Sequence, residues 1–130
     1  MPHPTESRLR DLYATFASGD LPGFLAGCTD DVVFTVPGNA AVSGTFTAAT
    51  FVDWITGVLG LTNGTFREDV LDVFANDEHG ILLLHHSFER DGEQRDYDTG
   101  HVVTMRDGQI ATWAERPASL TEFEAAWGSR

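Results

Sequence analysis

The segment from His101 to Glu115 has the sequence HVVTMRDGQIATWAE, and it is typical of a β-hairpin. β-Branched and aromatic residues flank Asp107-Gly108, a dipeptide that favours a tight turn between antiparallel strands. A three-residue loop with the glycine in the left-handed conformation pairs Met105 with Gln109. A two-residue loop would reverse the faces, because a slip of one residue turns every side chain to the opposite side of a sheet.

The rest of the chain places helices before strands. Apolar residues at helical spacing predict a first helix capped by Thr5 or Ser7, a short second helix capped by Asp20, and a third helix capped by Thr47. Only one short strand, 32–36, is expected among them, and a last helix closes the chain at 120–127. The four long strands are expected at 65–75, 80–89, 94–105 and 109–116. This order predicts an α+β fold in a single domain spanning residues 1–130.

Composition excludes several classes of partner. The chain has 20 acidic and 8 basic residues, a net charge of −12, and therefore repels nucleic acid. Its longest apolar run, 81–84, is too short to cross a membrane. The N-terminus lacks the features of a secretory signal, so a cytoplasmic protein is expected. The single Cys28 cannot form an internal disulfide.

Three-residue loops at both Asp107-Gly108 and Asp91-Gly92 place large apolar and polar side chains on one face of the sheet. That face carries Ile81, Leu83, His85, Tyr97, Thr99, His101, Val103, Met105, Ala111, Trp113 and Glu115. Such a mixture is typical of a ligand pocket rather than of a plain core. Asp98 falls on the other face, unless Gly100 marks a bulge that turns it inward.

The outer face also contains apolar residues that need cover. With three helices committed to the inner side, a second subunit would provide it, and a homodimer through the outer sheet face is expected. The residues that predict it are Leu82, Leu84, Phe88, Val102 and Ile110.

The order of elements and the His101–Glu115 hairpin resemble the SnoaL-like polyketide cyclases and ketosteroid-isomerase-like proteins of the nuclear transport factor 2-like superfamily. The resemblance covers nearly the whole chain, including the closing Phe123-x-x-x-Trp127. It implies a curved, mixed antiparallel sheet whose N-terminal helices form a cone around an apolar pocket. No cofactor is implied.

The resemblance also implies catalytic roles. Glu115 would be the base that removes a proton from a carbon atom, and His101 would assist at the oxygen of the forming enolate. Asp98 lies near the position of the carboxylic acid that helps to bind the oxyanion in steroid isomerases. The aspartate base of those enzymes is absent, because Val36 precedes Pro37 here.

Physical chemistry supports the same carboxylate as a base. Placed among Trp113, Val103 and Met105, the carboxylate of Glu115 would be desolvated and its pKa raised towards neutrality. The remaining substrate-binding candidates are aromatic and polar residues expected around the pocket: Tyr13, Phe34, Phe51, Trp54, His85, Tyr97, Thr99, Val103 and Trp113. The hydroxyls of Tyr13 and Tyr97 are also candidate oxyanion donors.

These observations favour an enzyme that cyclises, isomerises or dehydrates a hydrophobic, carbonyl-bearing, polyketide-like metabolite by general acid/base chemistry. The alternative is a non-catalytic ligand-binding or dimeric accessory protein on the same scaffold. Epoxide hydration would need an Asp-Arg-Asp arrangement that neither Arg95 nor Arg106 provides. A metal site built from His85, His101 and Glu115 matches no known ligand spacing, and no metal is predicted.

Overall fold

The computed structural model describes residues 3–129, which form one mixed six-stranded sheet covered by helices. Its strands are β1 (Cys28–Val36), β2 (Gly44–Thr47), β3 (Arg67–Ala75), β4 (His79–Arg90), β5 (Glu93–Arg106) and β6 (Gln109–Glu115). They lie in the order β2-β1-β6-β5-β4-β3, with β1 parallel to β6 and every other pair antiparallel. The curved α+β architecture confirms the fold class that the sequence predicts.

The helices are α1 (Pro4–Ala17), α2 (Leu21–Ala26), α3 (Phe51–Leu61) and α4 (Leu120–Trp127). Asp20 caps α2 as expected, accepting a hydrogen bond from the backbone of Gly23 at 2.9 Å. The cap predicted for α1 is wrong. A capping box formed by His3 and Glu6 begins that helix, one turn before Ser7.

The region before α3 differs from the expectation. Gly44–Thr47 pairs with the end of β1 as a short edge strand, where the sequence pattern predicts only a helix cap. Thr50, rather than Thr47, occupies the N-cap position of α3. A four-residue strand is too short for alternating hydrophobicity to identify.

Both hairpin loops contain two residues, so the three-residue loops predicted from the sequence are wrong. Asp91, Gly92, Asp107 and Gly108 all have positive φ angles, between 52° and 79°, as a two-residue turn of type I′ requires. In the first hairpin, this shift reverses β4 relative to the prediction. His86 pairs with Tyr97 on the inner face, and His85 lies outside.

In the second hairpin, a β-bulge in β6 compensates for the wrongly predicted loop length. The register shifts between Thr104 and Met105, which leaves Ala111 as an extra residue on β6. Trp113 and Glu115 therefore return to the inner face, where the sequence analysis places them. Ile110 also turns inward and is fully buried, contrary to the prediction.

The core lies between the concave inner face of the sheet and the helices. Its largest fully buried side chains are Leu9, Phe34, Phe51, Leu82, Leu84, Phe88, Ile110, Phe123 and Trp127. Leu82, Leu84 and Phe88 belong to this core and not to the outer face on which the sequence analysis places them. Within residues 3–129, none of the helices has the length and apolarity needed to cross a membrane.

Candidate active site

A cavity of about 70 Å³ lies between the inner face of the sheet and the four helices. A single buried water needs roughly 10–15 Å³ on such a scale, so the cavity has room for a small molecule. Its walls are mainly aromatic: Phe24, Phe34, Phe51, Trp54, Phe66, Trp113 and Trp127. Two glutamates and two histidines, Glu68, His86, His101 and Glu115, also line it.

His101 and Glu115 form one hydrogen-bonded chain with two aromatic side chains, Tyr13 and Trp113. Trp113 Nε1 donates a hydrogen bond to the hydroxyl of Tyr13 at 3.0 Å, and that hydroxyl lies 2.6 Å from His101 Nδ1. His101 Nε2 lies 3.2 Å from Glu115 Oε1. The other oxygen of Glu115 accepts a short hydrogen bond from Thr99. Both carboxylate oxygens of Glu115 are therefore engaged.

A second chain with the same order of residue types enters the cavity from β3, β4, β5 and α4. Trp127 Nε1 donates to the hydroxyl of Tyr97 at 2.7 Å, and that hydroxyl lies 2.9 Å from His86 Nδ1. His86 Nε2 lies 2.7 Å from Glu68 Oε2. Two Trp-Tyr-His-Glu chains thus meet at one site, where Glu68 Oε2 lies 4.0 Å from His101 Nε2.

The tryptophans determine the direction of donation along each chain when the imidazoles are neutral. An indole N–H can only donate, so each tyrosine oxygen accepts from tryptophan and gives its own proton to a histidine Nδ1. The histidine then carries its proton on Nε2 and donates it to a carboxylate. This arrangement gives every nitrogen and hydroxyl group of both chains a partner and places the Nε2 proton of each histidine next to the cavity.

The pKa of Glu115 is lowered, which contradicts the direction predicted from the sequence. Burial raises this pKa, but the charges and hydrogen bonds of His101, His86 and Thr99 together outweigh it. The prediction considered only the apolar neighbours of the carboxylate. Glu115 is consequently ionised at neutral pH.

The pKa of His86 is raised by a similar balance. Burial lowers it, and the hydrogen bond and charge of Glu68 more than compensate. Burial also raises the pKa values of Tyr13 and Tyr97 well above their usual range, so both hydroxyls remain protonated donors. Burial likewise raises the pKa of Cys28 to about 12, which keeps this thiol protonated.

Glu68, His86 and His101 each offer an oxygen or nitrogen atom of a kind that binds metal ions. One ligand atom from each lies within 4.8 Å of the others. This set differs from the combination of His85, His101 and Glu115 considered from the sequence. In the neutral chains, however, the Nε2 atoms of both histidines carry protons that the carboxylates accept. The arrangement is therefore suited to proton transfer.

Most of the residues proposed from the sequence lie around this cavity. Those that line it are Tyr13, Phe34, Phe51, Trp54, Tyr97, His101, Trp113 and Glu115. Two of the proposed residues do not line the cavity. Thr99 donates a hydrogen bond to Glu115, and Val103 is a fully buried core residue.

His85 and Asp98 lie on the opposite face of the sheet. His85 Nδ1 lies 2.8 Å from Asp98 Oδ1, and its Nε2 lies 3.2 Å from Asp96. The predicted position of His85 in the pocket is wrong because the Asp91-Gly92 turn has two residues. Asp98 points outward, as the face assignment indicates, and cannot reach an oxyanion in the cavity.

Sequence reasoning missed Glu68 and His86. His86 would have been found by choosing the two-residue loop, which Asp-Gly favours. Glu68 stands between Arg67 and Asp69 in a polar stretch that is typical of a solvated strand. Only its pairing with His86 across the two strands reveals that it faces inward.

Comparisons with known proteins agree with this architecture. A family profile for the SnoaL-like domain matches residues 9–113. The uncharacterized protein Rv0034 from Mycobacterium tuberculosis is 29% identical over 124 residues, covering 92% of both chains.

Solved structures also share the fold. Bal32a from a soil-derived mobile gene cassette superposes with a TM-score of 0.88 at 22% identity, covering 95% of this chain and 96% of that one. TerC, co-crystallized with polyporic acid, has a TM-score of 0.82 at 21% identity, covering 95% and 97% respectively. The fold, the concave cavity and the match over residues 9–113 lead to one conclusion. The chain belongs to the SnoaL-like domain family.

Proposed function

We propose that this protein is an enzyme that cyclises, isomerises or dehydrates a small, hydrophobic, carbonyl-bearing metabolite of the polyketide type. The observation that carries the proposal is the ionised carboxylate of Glu115 beside His101 in an aromatic cavity. A water-poor pocket strengthens the interactions between such groups and a bound carbonyl compound.

Glu115 is the base in this mechanism. Its ionised carboxylate takes a proton from the carbon next to the substrate carbonyl, and the electron pair of the C–H bond becomes the C–C double bond of an enolate. Protonated Glu115 then no longer attracts the Nε2–H of His101. That N–H turns to the enolate oxygen and donates to it, which stabilises the new charge.

The hydrogen bonds around this pair support the assignment. Thr99 holds one carboxylate oxygen and Tyr13 holds the far side of the imidazole, so only the Nε2–H of His101 has to change its acceptor during the reaction. TerC, a protein with this fold, has been crystallized together with polyporic acid. Neither step requires a cofactor.

A non-catalytic ligand-binding role is the second candidate. It is favoured by the engagement of both oxygens of Glu115, which holds the carboxylate in the wall of the cavity. In that case the two chains would serve to satisfy buried polar groups, and the aromatic walls would bind the ligand.

Exchange of carbon-bound hydrogen separates the two functions. A panel of cyclic and aromatic ketones is incubated with the protein in deuterium oxide, and incorporation is followed by mass spectrometry. Glu115→Gln is expected to slow the exchange by about 100-fold or more, the usual contribution of a general base. Asp98→Asn makes the same chemical change on the outer face and should leave the rate unaltered.

The result that contradicts the enzymatic proposal is exchange at the same rate in Glu115→Gln and in the unaltered protein. Absence of exchange with every ketone, together with binding of some of them, would favour the binding protein. Circular dichroism of each variant shows whether the fold is retained.

We further propose that the protein acts in the cytoplasm as a homodimer formed through the outer face of the sheet. Four large apolar residues on that face are between 43% and 61% exposed: Leu71, Phe74, Ile81 and Leu83. They replace Leu82, Leu84, Phe88 and Ile110, which are buried on the inner side. Val102 remains on the outer face as predicted, where it pairs with Ile81. Contiguous exposed apolar side chains of this kind are typical of contact surfaces between subunits.

A further inference from the structure

The two carboxylates of the cavity differ in how many of their oxygens are engaged. Glu115 has one partner on each oxygen, namely His101 and Thr99. Glu68 uses only Oε2, which contacts His86 at 2.7 Å. Among residues 3–129, no side-chain or backbone donor forms a hydrogen bond with Glu68 Oε1. One of the two carboxylates thus retains acceptor capacity.

Unused acceptor capacity leaves Glu68 Oε1 available to a ligand. The side chain of Glu68 is only 10% exposed and lines the aromatic cavity. A carboxylate offers about four acceptor sites. Within residues 3–129, Trp54 Nε1 is the fully buried side-chain polar atom that lacks a partner, so Glu68 Oε1 keeps some accessible surface. A ligand that brings an O–H group into the cavity would satisfy this oxygen.

His86 makes Glu68 a fixed acceptor. The imidazole is almost fully buried and is held on its other side by Tyr97, which in turn accepts from Trp127. A carboxylate anchored in this way keeps its position when a ligand enters. The adjacent ring of Phe66 packs edge-on against His86 at a centroid distance of 4.9 Å and limits its movement.

We propose that Glu68, held by His86, is the subsite of the cavity that binds a hydroxyl or enol group of the ligand. The expected ligands are aromatic or enolic molecules that donate a hydrogen bond to the carboxylate while their rings contact the aromatic walls. No covalent step is involved.

The inference deepens the proposed function, since it supposes that the same cavity holds the substrate. Glu68 Oε2 lies 4.0 Å from His101 Nε2, the donor to the enolate oxygen in the mechanism above. A hydroxyl group of a ligand held beside His101 is therefore within reach of Glu68. A substrate that already carries a hydroxyl or enol group can donate that group's own proton in a hydrogen bond to Glu68, whereas a plain ketone has none to donate.

Phenol and toluene test the subsite, because they differ only by the exchange of a hydroxyl for a methyl group. Both are titrated into 15N-labelled protein by NMR in the presence of a chelator. Glu68→Gln is expected to weaken phenol binding about tenfold, since a hydrogen bond to a charged acceptor is replaced by one to a neutral amide. The affinity for toluene should stay within about threefold.

The matched control is Asp98→Asn, which removes a carboxylate charge from the outer face. It should alter neither affinity. A measurement on the unaltered protein covers the case in which Glu68→Gln does not fold. The side-chain carboxyl 13C resonance of Glu68 is expected to move when phenol is added and to stay in place with toluene.

Three results would overturn the subsite: equal weakening of both ligands by Glu68→Gln, unchanged phenol binding in that variant, or binding of neither ligand by the unaltered protein. None of them depends on turnover. Loss of deuterium exchange in Glu115→Gln tests the catalytic proposal by itself, so the failure of one proposal is distinguishable from the failure of the other.

Discussion

His85 and His86 are consecutive residues of β4, and each has two oxygen-bearing partners, but they lie on opposite faces of the sheet. His85 contacts Asp96 and Asp98 at the outer surface, where 31% of its side chain is exposed. His86 contacts Glu68 and Tyr97 inside the cavity, where its residue exposure is 3%. The comparison separates the effect of hydrogen-bond partners from the effect of burial.

Both histidines have raised pKa values, for different reasons. Outside, the hydrogen bond to Asp98 is the largest cause, and burial, the next largest influence, opposes it. Inside, burial is the largest influence and lowers the pKa, but the contact with Glu68 outweighs it. A shift in the same direction thus results from a solvated ion pair in one case and from two large opposing effects in the other. Only the buried pair should matter greatly for stability.

The largest expected difference is between His86→Ala and His85→Ala. Removal of His86 leaves a buried carboxylate without its partner, which typically costs about 3–5 kcal/mol. Removal of His85 breaks a partly exposed ion pair and should cost less than about 0.5 kcal/mol. Urea denaturation of both variants measures the difference. Similar losses would show that the inner pair is solvated and would undermine the site.

The second test uses pH and concerns Glu115. A folded-state pKa below the unfolded value of about 4.3 stabilises the protein above that value, and the contribution disappears as pH falls through the folded pKa. The free energy of unfolding should therefore decrease in acid, by up to about 1.4 kcal/mol per pH unit for this one group.

The matched variant for this test is Glu115→Gln, in which that part of the acid dependence should be missing. His86 has the opposite sign, because its raised pKa stabilises the fold at low pH and the contribution is lost as pH rises through the folded value. Parallel acid profiles for the variant and the unaltered protein would contradict the lowered pKa of Glu115.

The smallest effect on the stability of the subunit is expected on the outer face. Leu83→Asp should change the unfolding free energy of a monomer by less than about 0.5 kcal/mol, because the side chain is already 43% exposed. It should nevertheless convert a dimer into monomers, as measured by light scattering after gel filtration. Val52→Asp, on α3, is an equally exposed control. A monomeric unaltered protein would refute the proposed interface.

The order of elements was predictable because long strands with Asp-Gly turns follow three segments of helical spacing. The position of Glu115 was also predicted, although two errors cancelled: the loop is one residue shorter than expected, and β6 carries one extra residue at Ala111. No such irregularity corrects the β4–β5 hairpin, so the pocket was assigned His85 in place of His86.

The remaining part of the site depends on contacts between distant segments. Glu68 lies 18 residues before His86, and the pairing of β3 with β4 that joins them contains its own shift between Val70 and Asp72. The lowered pKa of Glu115 depends on His101 and His86, which come from two other strands. Local periodicity carries no information on such neighbours.

At the Asp91-Gly92 turn, whether the number of loop residues is odd or even decides which side chains of β4 face the cavity. One residue inserted there would exchange His86 for His85 at the cavity, along with every other alternate side chain of β4, while an insertion of two residues would restore the original set. A single gap at this turn in an alignment of related sequences therefore marks a change of cavity lining, even where the flanking strands are identical.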